Sequence, residues 1–162
     1  MNRITTYLLI GFAVIFSTQV YGQLQASNNS LLSEEEILRQ LNWVKAKIEK
    51  YGGKAGNEFA YQVSFKQSTC EFIVEQVSLS NDASQNFTFI LKLKDFKEIR
   101  FNGPDLEILT NGTQVVGLLG TQKSAWSGIR IYRFREGESE LIGRMQEAMQ
   151  QLSRNAVSKC GN

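Results

Sequence analysis

The sequence predicts an α+β fold: an N-terminal helix, an antiparallel sheet or bent barrel of about seven strands, and a C-terminal amphipathic helix packed on it. Three observations carry this. Ile37, Leu41, Val44, Ile48 and Tyr51 fall on one stripe at about 100° per residue. From Phe59 onward the apolar period drops to two. Over residues 138–156 it returns to helical spacing, with Leu141, Ile142, Met145, Ala148, Met149, Leu152 and Ala156 on one face.

Before the first helix, residues 1–22 read as a secretory signal peptide. Arg3 supplies a positive start, "YLLIGFAVIF" (Tyr7 to Phe16) an apolar run, and Ser17 to Gly22 a small-residue cleavage region. The alternative is an uncleaved membrane anchor, but a span needs about 20 apolar residues. No cysteine lies near the cleavage region to carry a lipid. This implies a periplasmic or secreted protein with no transmembrane span after cleavage. Residues 23–32 read as a flexible lead-in and 33–162 as a single globular domain, with no internal repeat.

Each element has its own justification. Ser33-Glu34-Glu35-Glu36 is a capping-box pattern, with Glu36 placed to reach back to Ser33. Gly52-Gly53 stops that helix near Tyr51. Tyr61, Val63 and Phe65 alternate with polar residues as a first strand. Cys70, Phe72 and Val74 mark a second, and Phe87, Phe89, Leu91 and Leu93 a third. Ile99 and Phe101 belong to a fourth, ended by Asn102-Gly103-Pro104-Asp105. "LEILTNGTQVV" reads as a hairpin of two further strands turning at Asn111-Gly112. Gly120 to Gly128 reads as a loop, and Ile129 to Phe134 as the seventh strand.

Composition excludes several function classes. Basic and acidic residues number 18 and 16, and removing residues 1–22 leaves a net charge of +1. That balance argues against nucleic-acid binding and against attachment to anionic lipid. The chain has no histidine, which removes the commonest general base and metal ligand. No G-x-S-x-G elbow occurs, and the paired carboxylates sit at helix starts, where they favour the positive helix end. Neither catalysis nor a metal or other cofactor is expected. Cys70 and Cys160, alone in an exported chain, point to one disulfide.

"FILKLKDFKEIRF" (Phe89 to Phe101) is an apolar strand, a break at Lys94-Asp95-Phe96-Lys97, and another strand; the slip suggests a tight turn or bulge between paired strands. With seven strands and a closing helix, it resembles the pleckstrin-homology-like superfold over residues 59–157. That resemblance implies a bent barrel plugged at one end by the C-terminal helix and a scaffold that binds ligands through its loops. The N-terminal helix lies outside that superfold's usual core. Its phosphoinositide residues do not carry over: the first hairpin turn, "KQST", has a single base, Lys66.

The functional expectation is an exported, non-enzymatic module that recognises a protein or peptide. Trp43 lies about 120° off the first helix's apolar stripe. Trp126, beside Lys123, lies in the expected loop. Trp43, Lys123 and Trp126 are the expected contacts, because tryptophan is enriched at interfaces. The alternative is a small apolar ligand or lipid carrier with a pocket inside the barrel lined by Met145 and Met149.

Overall fold

The computed structural model describes residues 31–53, 59–80, 85–134 and 140–160. The expected signal peptide and the lead-in through residue 30 lie outside them. Helix α1 is Glu34–Tyr51, and its capping box forms as read: Ser33 Oγ accepts from the Glu36 N–H, and Glu36 accepts from the Ser33 N–H. Ile37, Leu41, Val44 and Ile48 are buried. The helix stops where Gly53 takes φ +72, and a Cβ there would meet the Phe59 carbonyl oxygen at 2.0 Å, so only glycine fits.

Among the described residues eight strands follow, close to the seven or so expected, with the extra one in the expected loop. They are β1 (Phe59–Lys66), β2 (Glu71–Ser78), β3 (Phe87–Lys92), β4 (Phe96–Asn102), β5 (Asp105–Thr110), β6 (Val115–Leu119), β7 (Gln122–Trp126) and β8 (Gly128–Ile131); helix α2 is Leu141–Cys160. A five-stranded sheet has the order β1-β2-β3-β6-β7 and a three-stranded sheet the order β4-β5-β8, antiparallel throughout. The architecture is α+β as expected, but the sheets do not close into a barrel. Two of the strand edges are occupied by helices. Glu49 of α1 accepts from the Val63 N–H at 2.8 Å, and Lys45 donates to the Val63 carbonyl at 2.8 Å, capping β1. Gln146 of α2 accepts from the Ile99 N–H at 2.6 Å, capping β4.

Two expected hairpins are sheet crossings. After β3, a 3₁₀ turn over Leu93–Asp95 carries the chain to the second sheet, so β4 pairs with β5 and not with β3. Asn111-Gly112 carries it back, so β5 and β6 never pair; Gly112 has φ +76, but Asn111 does not share the left-handed conformation that a type I′ turn needs at both positions. Ser127 is the third crossing. The three are bonded side by side: the Asn111 N–H donates to the Asp95 carbonyl at 3.1 Å and the Thr110 N–H to the Ser127 carbonyl at 2.9 Å.

Helix α1 packs on β1, and α2 packs on the 93–95 turn, on β4 and on α1. The α2 face read from the sequence is buried apart from Ile142, which packs partly buried against the core. Met145 and Met149 are fully enclosed in that core. Cys70 and Cys160 form the expected disulfide, joining the β1–β2 turn to the last residue of α2. No helix among the described residues is long and apolar enough to cross a membrane.

Candidate functional site

A cleft of about 310 Å³ lies at the β7–β8 crossing, lined by residues of both sheets. Its first wall is built on β6 and β7. Gly120, at φ +58, makes the two-residue turn that pairs Leu119 with Gln122. That register sets Ser124 opposite Gly117 and Trp126 opposite Val115. The Trp126 indole lies back over Gly117, where a Cβ would sit 2.5 Å from its Nε1. The indole N–H donates to Ser124 Oγ at 2.6 Å, which donates in turn to the Gly117 carbonyl at 3.3 Å. A glycine thus makes the seat, and a serine fixes the ring in it.

Aromatic rings continue the wall. Phe89 meets Trp126 edge-to-face at 6.4 Å, and Phe87 stacks on Phe89 at 5.8 Å. Tyr132 and Leu109 line the cleft as well. The buried Gln76 is oriented by the Tyr61 hydroxyl, which donates to its side-chain oxygen at 3.2 Å and accepts from the Tyr132 N–H at 2.9 Å. Burial pushes the Tyr61 phenol well above its ordinary range.

The second wall carries charge. Arg100, Glu107 and Arg130 form a cross-strand row on β4, β5 and β8. Glu107 accepts from Arg100 Nε at 3.0 Å, from Arg130 Nη2 at 2.8 Å and from Asn102 Nδ2 at 2.9 Å. The Asn102 amide, with Arg130 and Arg100, holds its carboxyl down at about 2 against the cost of burial. The Glu107 side chain is 8% exposed, while Arg100 and Arg130 are half exposed. The cleft therefore offers an apolar, aromatic seat with one fixed ionic end, the usual form of a specific binding site.

The expected contact residues do not converge. Trp126 lines the cleft, on a strand and not in a loop. Lys123 is exposed on the other face of that strand, as its odd spacing from Trp126 requires. Trp43 lies half-buried between the helices, with the Arg144 guanidinium 4.9 Å from its ring centroid and Lys47 Nζ at 5.6 Å. Among the described residues, no three acidic or cysteine side chains converge as a metal site would require.

Glu107 and Arg130 escaped the sequence reading. Their one signal is a charge inside an apolar run, "LEIL" for Glu107 and "IRI" for Arg130. Phe87 and Phe89 were legible as a strand face, but nothing local places them against Trp126. No protein-family model, curated protein or solved structure matches this chain.

Proposed function

We propose that this is an exported binding module that takes an extended segment of a protein partner as an added strand on β7, seating one of its apolar side chains in the cleft. Export rests on the character of residues 1–22. The observation that carries the reading is the contrast between strand edges. The β1 and β4 edges are capped by helix side chains. Strand β8 has two of its four residues, Ile129 and Ile131, buried, and just past its end the Tyr132 N–H donates to the Tyr61 hydroxyl while the Tyr132 carbonyl accepts from the Gly53 N–H. Among the described residues, β7 has no such partner on its outer edge, and all five of its residues are exposed.

An uncapped edge is a template for strand addition. With Leu119 and Gln122 closing a two-residue hairpin, Gln122, Ser124 and Trp126 spend their main-chain groups on β6. Lys123 and Ala125 turn theirs outward. A strand added there places alternate side chains on the Trp126 face, beside the cleft. A carrier with ligand inside a barrel has less support, because the sheets do not close and Met145 and Met149 belong to the core.

Ala125→Pro tests this directly. It deletes an outward N–H on an edge strand, where proline is tolerated, and leaves the β6 pairing intact. Cross-linked partners are recovered from the native cell envelope with wild type, Ala125→Pro and Trp126→Ala, and quantified by mass spectrometry. The expected result is a partner held by wild type and lost from both folded variants. A set of captured proteins that is the same for all three overturns the proposal.

A further inference from the structure

We infer that the segment added on β7 carries an acidic side chain two residues from its apolar anchor, and that Arg130 receives it. This rests on the strand-addition reading above. In an extended segment, residues i and i+2 point to the same face, about 6.6 Å apart. If residue i fills the aromatic seat, residue i+2 on that face is the next to meet the cleft wall, whose charged part is Glu107 and Arg130.

The sign of the preference follows from how that wall is occupied. Glu107 is buried and already accepts from Asn102, Arg130 and Arg100, so it offers little to an incoming cation. The row holds two guanidinium groups against one carboxylate. Asp105 accepts the Arg133 N–H at 2.9 Å, and Glu98 lies 3.9 Å from both Lys97 and Arg100. Arg130 is half exposed and commits Nη2 to Glu107. Among the described residues its other guanidinium N–H groups meet no second acceptor, and a planar guanidinium suits a carboxylate. Glu107 is then a positioning residue: it fixes the guanidinium that does the recognising.

A phage-displayed random heptapeptide library panned on the purified protein, with counter-selection on Trp126→Ala, tests the inference. Trp126-dependent binders are expected to share an apolar or aromatic residue with Asp or Glu two positions away. On a synthetic peptide of the enriched sequence, changing that acid to its amide should weaken binding to wild type roughly tenfold or more. The same change should leave binding to Arg130→Gln unaltered, while Arg130→Lys keeps part of the preference. Trp126-dependent binders with no acidic residue at that spacing overturn the inference and leave strand addition standing. An absence of Trp126-dependent binders overturns both.

Discussion

The carboxyl group of Glu107 is held by three donors at once on the face of β5 that alternation turns away from the apolar core, yet it is buried there. Leu106 and Ile108, its neighbours on β5, are fully buried on the other face, so the glutamate lies on the face turned to the cleft. Its cost of burial is offset by charge-assisted bonds, which are the strong ones. Its carboxyl falls from the ordinary 4.5 to about 2, led by the bond from Asn102. The folded value lies below the unfolded one. The stabilisation is therefore fully present above about pH 4.5 and is lost as the pH falls toward 2. Glu107→Gln should destabilise the protein at pH 7 by about 1–3 kcal/mol, since the two guanidinium groups lose a charged acceptor. The difference from wild type should shrink between pH 4.5 and pH 2. Urea denaturation across that range checks it, and parallel curves for the two proteins would show that Glu107 does not supply the pH dependence.

At the scale of elements, what separates β1 from β7 is a pair of side chains on α1. Lys45 and Glu49 stand one helical turn apart, pair with each other, and together occupy both main-chain groups of Val63. Glu49→Ala should leave the Val63 N–H without its acceptor, costing about 1–2 kcal/mol and speeding hydrogen exchange at that amide above all others in β1. Unchanged exchange at Val63 would mean that the cap contributes nothing. Such devices explain which elements were legible. Helix α1, with its capping box and buried stripe, is written in local chemistry, as are the buried alternations of β1, β2 and β3. Strand β7 reads as a loop in the sequence because "QKSAW" buries no face, so no period of two marks it. Asn111-Gly112 and the Lys94-Asp95 break are sound local turn signals. Which strand pairs with which shows only in the fold, where Asn111 bonds to Asp95 and Thr110 to Ser127, pairs far apart in the chain. The cleft was hidden for the same reason: Trp126, Phe89 and Arg130 belong to three strands in two sheets.

For the whole molecule, Cys70 is the joint at which three parts meet. It follows the 3₁₀ turn between β1 and β2, its sulfur is bonded to Cys160 at the end of α2, and its carbonyl accepts from the Leu93 N–H at 2.9 Å, where the first sheet crossing begins. The bond closes a loop of 90 residues that contains both crossings from β3 to β6 and the entire cleft. Closing so long a loop restricts the unfolded chain, worth up to about 4–5 kcal/mol on the chain-entropy model, while removing a native bond more often costs about 2–4 kcal/mol. Cys70→Ser with Cys160→Ser should therefore lower stability by about 2–4 kcal/mol in urea denaturation. Its site of action can be read independently. If the bond works on the unfolded state, the slowest-exchanging amides of β2, β3 and β5, which open only on global unfolding, should all lose protection by the same free energy. If it works by pinning the native helix end, the loss should be confined to the last turn of α2 and to the Leu93 amide. The long loop favours the first outcome. Protection lost only around Cys160, with the central strands unchanged, would assign the bond a local role and leave the junction of the sheets to the three main-chain crossings alone.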